Sequence, residues 1–153
     1  MTGSVTDGDI GGLARSVFDA LNEHDLNKWS QYIADSYRGE APGAMSTQNK
    51  QQAREYNQIF LTAFPDLHFS ITQTIVQNDR VAVQWEAAGT HKGQLRTPTG
   101  EMIQPTGRKA TGSGCTIFEA KNGKLTRGWL FWDMATLLNQ IGVLPVGQSK
   151  SMA

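Results

Sequence analysis

The spacing of apolar residues along the chain changes once, near residue 65, from a helical period to a period of two. Before that point, a first run from Ile10 to Leu21 follows the i, i+3, i+4, i+7 spacing of an amphipathic helix. Asp9 is the expected N-cap of this helix, because a short acidic side chain accepts hydrogen bonds from unpaired backbone N–H groups. Gly11 and Gly12 weaken its first turn.

Two further helices and a loop are predicted before residue 65. Residues 35–44 contain two glycines and a proline, a composition that predicts a loop between these helices. The later helix ends at Pro65, because proline disfavours the helical conformation of the residue before it. The apolar stripes are Leu26, Trp29 and Ile33 in the shorter helix and Ala53, Tyr56, Phe60, Ala63 and Phe64 in the longer one.

Beyond residue 65, apolar residues alternate with polar ones, which is the period of a half-buried strand. Asn122 and Gly123 predict a tight hairpin turn between the last two of these stretches. The stretches that we interpret as strands are residues 67–75, 81–87, 111–119 and 124–132.

Two more segments complete the predicted architecture. Residues 92–109 contain two Pro-Thr-Gly triplets and predict a long excursion between strands, the natural lid of any cavity. Residues 134–141 predict a last helix, which Asp133 caps and Gly142 ends.

The order of elements predicts an α+β fold. About four antiparallel strands form a curved sheet, which three N-terminal helices and one C-terminal helix wrap. A curved sheet closed by helices forms a cone with an apolar cavity, the default place for a ligand. We expect a single domain over residues 10–145, with a disordered lead-in at residues 1–9 and a tail at residues 146–153.

Composition excludes several classes of partner. The 14 basic and 14 acidic residues balance, which argues against binding to nucleic acid or to an anionic membrane surface. No apolar run approaches the roughly 20 residues of a membrane span, and the polar N-terminus does not read as a signal peptide. Cys115 is the single cysteine, so an intrachain disulfide is impossible. We therefore expect a cytoplasmic protein.

The chemistry-bearing residues suggest a reaction without metal or cofactor. The three histidines do not have metal-ligand spacing, and the sequence contains no Gly-x-Ser-x-Gly nucleophile elbow. What remains is acid–base chemistry by isolated polar groups in an apolar pocket. His91 is the first candidate, because it shares the strand face of Val83 and Trp85. A half-buried structural histidine is the alternative.

Asp133 is the obvious carboxylate, but strand parity favours a structural role as the helix cap. If Leu130 and Trp132 point towards the pocket, then Phe131 and Asp133 point away from it. Flat aromatic walls would suit a flat polycyclic substrate, although most such residues belong to cores. The basic side chains of the 92–109 segment, Arg108 among them, would attract an acidic or phenolic ligand or simply face solvent.

The face opposite the predicted pocket is also apolar. Trp129 and Phe131 share it with Ile117 and Cys115 on the preceding strand. A monomer would leave this contiguous apolar surface in water, which is uncommon. We therefore expect a two-fold homodimer in which the sheets pack face to face.

In this order, several short motifs resemble the SnoaL-like polyketide cyclase family, which belongs to a nuclear-transport-factor-like superfamily of cone-shaped α+β barrels. The resemblance implies metal-free ring closure by an aldol step in which an aspartate removes a proton beside a carbonyl. The motifs are Phe64-Pro-Asp-Leu-His, Gly89-Thr-His-x-Gly, Pro105-Thr-Gly-Arg, Asn122-Gly-Lys, Trp132-Asp133 and Gln140-Ile-Gly142.

The departures from the family pattern change the expected reaction. By this resemblance, Leu130 occupies the place of the acid–base aspartate, and Thr116 and Gly114 occupy the places of a pocket histidine and glutamine. Asp133 corresponds to the structural aspartate. The resemblance then implies a tailoring enzyme of secondary metabolism, a hydroxylase or cyclase, with a non-catalytic binding or assembly protein as the alternative. His91 is the expected catalytic residue, and the expected substrate contacts are Trp29, Tyr56, Trp85, Arg108, Thr116, Leu130 and Trp132.

Overall fold

The computed structural model describes residues 7–44 and 46–143, as four helices and seven strands. The expectations for residues 1–6 and 146–153 lie outside the described residues. The helices are α1 (Asp7–Asn22), α2 (Leu26–Gln31), α3 (Lys50–Ala63) and α4 (Met134–Gln140). The strands are β1 (Ile33–Glu40), β2 (His68–Gln77), β3 (Arg80–Thr90), β4 (Leu95–Arg96), β5 (Met102–Ile103), β6 (Lys109–Lys121) and β7 (Lys124–Trp132).

Side-chain caps fix where the helices begin. Asp25 accepts a hydrogen bond from the backbone of Lys28 at the start of α2, and Asn49 forms a reciprocal capping box with Gln52 at the start of α3. The prediction for Asp9 was wrong, because α1 begins earlier and contains this residue. Among the described residues, no helix is both long and apolar enough to cross a membrane.

The main sheet has five strands in the order β1-β7-β6-β3-β2. All its neighbouring pairs are antiparallel except β1 and β7, so the sheet is mixed and has one more strand than predicted. The prediction of a loop at residues 35–44 was therefore wrong, because residues 35–40 belong to β1. This edge strand is polar on its outer side and its register with β7 is interrupted between Ile33 and Arg38, which hides the alternation.

The helices pack against one face of this sheet and bury its inward side chains. Val83 pairs in register with Thr116, which in turn pairs with Leu130, so the three side chains form one row across β3, β6 and β7. Helix α1 contributes buried Val17 and Phe18 above this face. The alternation predicted for the three strands is confirmed, because the inward residues face the core and Phe131 faces outward.

The excursion between β3 and β6 is anchored to the end of α3. The backbone N–H groups of Lys92 and Gly93 both donate to the carbonyl of Ala63, at 3.1 and 3.0 Å. Gly93 is required here, because a Cβ atom would collide with the backbone carbonyl of Thr62. Leu95 of the short β4–β5 hairpin then joins a second apolar cluster with Ile141.

Candidate active-site cavity

A cavity of about 830 Å³ lies between the concave face of the sheet and the helices. Its volume falls within the range of pockets that hold small organic molecules, roughly 300–1,000 Å³. Its walls are mostly apolar, and all four helices and all five strands of the main sheet contribute residues to them. The expected apolar cavity is therefore present.

Aromatic rings form much of the wall and hold one another edge to face. Phe69 packs against Trp85 with ring centroids 5.2 Å apart at 81°, and against Phe18 at 5.6 Å and 72°. On the opposite side, Phe60 meets Trp132 at 5.3 Å and 87°. Edge-to-face contacts fix ring orientation, so these walls are flat and rigid surfaces against which a planar molecule can stack.

Two polar pairs interrupt the apolar wall. The indole N–H of Trp85 donates to the Thr116 hydroxyl at 3.1 Å. The Tyr56 hydroxyl accepts from the indole N–H of Trp132 at 3.1 Å and donates to the carbonyl of Pro42 at 2.8 Å. Burial raises the pKa of Tyr56 to about 12, so this phenol keeps its proton at neutral pH.

Most of the residues predicted to contact a substrate do line the cavity, and the structure brings them together on its wall. On β6 and β7 the outer-face residues Ile117 and Phe131 do not line it, as strand parity requires. The predicted residues that line the cavity are Trp29, Tyr56, Trp85, Thr116, Leu130 and Trp132.

His91, the predicted catalytic residue, does not line the cavity. Its ring has zero exposure and packs against Phe64, with ring centroids 5.5 Å apart. The backbone N–H of Thr106 donates to Nδ1 at 3.2 Å, so the neutral ring carries its proton on Nε2, which has no partner among the described residues. His91 therefore holds the base of the 92–109 excursion, and no path from its ring to a substrate is visible.

The buried ring of His91 makes stability depend on pH. Burial lowers its pKa, so the folded state favours the neutral ring. The resulting stability is present above the ordinary histidine pKa of about 6.5 and is lost as the pH falls below it, by up to about 1.4 kcal/mol per pH unit. In urea titrations between about pH 7.5 and about pH 5, wild type should lose more stability than His91→Asn, whose amide oxygen can still accept from Thr106. Equal losses would contradict this role.

Two other predictions about this region were wrong. Arg108 does not line the cavity, because its exposed guanidinium lies against Gly142 after α4. The 92–109 excursion is not a lid, since none of its described residues lines the cavity. Residues 95–98 of the excursion instead border a smaller pocket between α3 and α4.

The structural role predicted for Asp133 is confirmed. Its carboxylate accepts from the backbone N–H of Thr136 at 3.1 Å and from the hydroxyl of the same residue at 2.6 Å, which caps α4. These hydrogen bonds lower its pKa. Asp133 also borders the cavity, but it is exposed, and a carboxylate with a lowered pKa is a weak base.

Sequence reasoning missed Tyr37, a buried phenol that lines the cavity from β1. Its burial raises its pKa to about 12. The available signal was the alternation of Tyr37 and Gly39 with Arg38 and Glu40, which the glycine and proline content of residues 35–44 obscured. Within residues 7–44 and 46–143, no three His, Cys, Asp or Glu side chains are grouped as a metal site.

A curved sheet with helices on one face and an apolar cavity between them defines the class of cone-shaped α+β proteins. The sequence profile of the SnoaL-like polyketide cyclases matches residues 12–141. The chain belongs to this family. No curated protein matches the chain in sequence.

Solved structures share the fold at low sequence identity. AclR from Streptomyces galilaeus, a proposed hydroxylase, has a TM-score of 0.80 and 22% identity, covering 92% of this chain and 100% of its own. A proposed SnoaL-like cyclase from Jannaschia sp. CCS1 has a TM-score of 0.78 and 18% identity, covering 91% and 95%. IdmH from Streptomyces antibioticus, a proposed polyketide cyclase, has a TM-score of 0.75 and 22% identity, covering 88% and 99%. At these identities the similarity establishes the fold alone.

Proposed function

We propose that this protein is an enzyme of secondary metabolism that binds a flat, polycyclic or polyketide-derived molecule in the cavity. The observation that carries the proposal is the cavity of about 830 Å³ with rigid aromatic walls and few polar groups. Such a wall recognises a planar apolar molecule by stacking and area burial, and the polar pairs select its oxygen positions. Membership of the SnoaL-like family supports this class of substrate.

The proposed reaction is a tailoring step, a hydroxylation or a rearrangement, rather than an aspartate-driven aldol closure. Leu130 lies on the inner face beside Thr116, and a leucine side chain cannot take a proton. The carboxylates that border the cavity are exposed. Water therefore solvates them, and none of them is a base enclosed in the apolar pocket. They are Glu40, Glu86 and Asp133.

Binding and turnover can be tested on the same protein. We expect a dihydroxyanthraquinone to raise the Tm of the purified protein, because a ligand that binds the folded state alone stabilises it. Anthrones and related oxygenated tricycles, incubated in air with and without the protein, should then give a product that appears only with the protein. Mass spectrometry would distinguish added oxygen from a rearrangement of unchanged mass. If no compound of this class shifted the Tm or was converted, the proposal would be wrong.

A non-catalytic binding protein is the second candidate. It is favoured by one observation, namely that the two hydrogen-bonded pairs in the cavity wall consist of hydroxyls and indole N–H groups rather than ionised acids or bases. The same experiment separates the two functions. A binding protein would raise its Tm with the ligand and return that ligand unchanged, whereas an enzyme would convert it.

We also propose that the chain forms a two-fold dimer through the outer face of the sheet. Phe131 is 57% exposed and Ile75 is 56% exposed on this face, which is unusual for large apolar side chains. Trp129 lies on β7 two residues before Phe131, in the same row as Ile75, and the guanidinium groups of Arg80 and Arg127 lie 5.2 and 5.0 Å from its ring. An apolar centre bordered by cations and aromatic residues is typical of protein interfaces.

A further inference from the structure

Tyr37 reaches the cavity from β1, where the pairing with β7 is irregular. The register between β1 and β7 advances by five residues on β1, from Ile33 to Arg38, while β7 advances by two, from Leu125 to Arg127. The extra residues form a bulge, and Tyr37, at its end, points inward on the same side of the strand as Ile33 and is only 7% exposed. Bulges of this kind re-aim side chains and are common beside active sites.

Two glycines make room for this ring. A Cβ atom at Gly39 would lie 2.7 Å from the Tyr37 hydroxyl oxygen, and a Cβ atom at Gly128 would collide with the same oxygen. Gly39 and Gly128 are paired in register on β1 and β7, so together they form a recess in the sheet. The phenol lies in that recess with its hydroxyl against the backbone of β7, beside Phe118.

The Tyr37 hydroxyl makes no hydrogen bond to any residue in the ranges 7–44 and 46–143. Tyr56 provides the contrast, because it is a second cavity phenol whose hydroxyl both donates to Pro42 and accepts from Trp132. The Tyr37 oxygen is not enclosed by protein, because among the described residues the enclosed side-chain polar atom without a partner is Nε2 of His91. The hydroxyl is therefore open to the cavity, where its proton is free to be donated to water or to a ligand.

We infer that the Tyr37 hydroxyl donates a hydrogen bond to a carbonyl or phenolate oxygen of the substrate, beside Gly128 in the cavity wall. This inference rests on the function proposed above and adds a defined anchor for one oxygen of the substrate. Tyr37 is then a binding residue that fixes which edge of the planar molecule enters first. Negative charge that develops on that oxygen during the reaction is stabilised by the same donor.

The protonation state of Tyr37 agrees with this role. Burial raises its pKa to about 12, so the phenol is a hydrogen-bond donor and not a base at neutral pH. The neighbouring row of the inner face holds Leu130 and the Thr116 hydroxyl, two residues further along β7 and β6. At the strand rise of about 3.4 Å per residue, these groups lie about 7 Å from the recess, a distance that a fused ring system spans.

A series of substituted naphthols of graded acidity tests the inference, with binding measured by calorimetry at constant pH. A donor that contacts the naphthol oxygen makes affinity depend on the acidity of the naphthol, because a more negative oxygen accepts a stronger hydrogen bond. We expect Tyr37→Phe to weaken binding of the naphtholates by about 10- to 100-fold and to flatten this dependence. Tyr32→Phe, a matched change outside the cavity lining, should leave both quantities as in wild type.

Thermal unfolding separates this role from a structural one. Tyr37→Phe removes no hydrogen bond within the described residues, so its Tm should not fall, whereas Tyr56→Phe breaks the bond to Pro42 and should lower the Tm. A Tyr37→Phe variant that bound every naphthol like wild type would overturn the inference and leave the proposed function intact. If wild type bound neither the naphthols nor the dihydroxyanthraquinone, both would be overturned.

Discussion

Leu130→Trp is expected to lower the affinity for a dihydroxyanthraquinone by at least about 100-fold, which corresponds to about 2.7 kcal/mol. Leu130 lies on the cavity wall, in register with Thr116 and next to the recess at Gly128. An indole at this position projects into the space that the ligand would occupy. Because it fills a cavity rather than a packed core, the free energy of unfolding should change by less than about 1 kcal/mol.

Phe131→Trp is the matched control for this change. It introduces the same side chain at the next residue of β7, but on the outer face of the sheet. Calorimetry should give an affinity close to that of wild type for this variant, and urea titration should give similar stabilities for all three proteins. Equal loss of affinity in both variants, or in neither, would show that ligands do not bind against Leu130.

Phe131→Glu is expected to convert the proposed dimer to a monomer. Its effect on the dissociation constant of the dimer should be at least as large as the effect of Leu130→Trp on ligand affinity. A central aromatic side chain of an interface contributes about 2 kcal/mol or more, and two-fold symmetry introduces the change twice. The new carboxylates would also lose their solvation in the interface. We expect the dimer dissociation constant to rise by at least about 100-fold, as measured by analytical ultracentrifugation over a range of concentrations.

Ser46→Glu is the control for the added charge, because Ser46 is exposed in the segment between β1 and α3. It should leave the dimer unchanged. The dimer proposal is wrong if wild type sediments as a monomer at micromolar concentration, or if Phe131→Glu and wild type associate equally.

The sequence was sufficient to predict the parts of the fold that depend on local periodicity. In β3, β6 and β7, simple alternation predicted that Val83, Thr116 and Leu130 face inward and that Phe131 faces outward, as observed. Asp133 was equally predictable as the cap of α4, because an N-cap depends on a hydrogen bond to a residue three positions away.

The parts that escaped prediction depend on contacts distant in sequence. The edge strand β1 pairs in parallel with β7, a partner distant in sequence, and the glycines and proline of residues 35–44 made Tyr37 look like a loop residue. Burial of His91 was predictable from its strand face, but its position behind Phe64 follows from the anchoring of the excursion on Ala63. Neither contact leaves a periodic signal in the sequence.

The most direct test of the central claim is a crystal structure of the protein with a bound dihydroxyanthraquinone. We expect the ring system to lie between the sheet and the helices against Leu130 and Trp132, with one ligand oxygen within about 3 Å of the Tyr37 hydroxyl. Ligand density confined to the surface, or a cavity filled by the protein's own side chains, would contradict it.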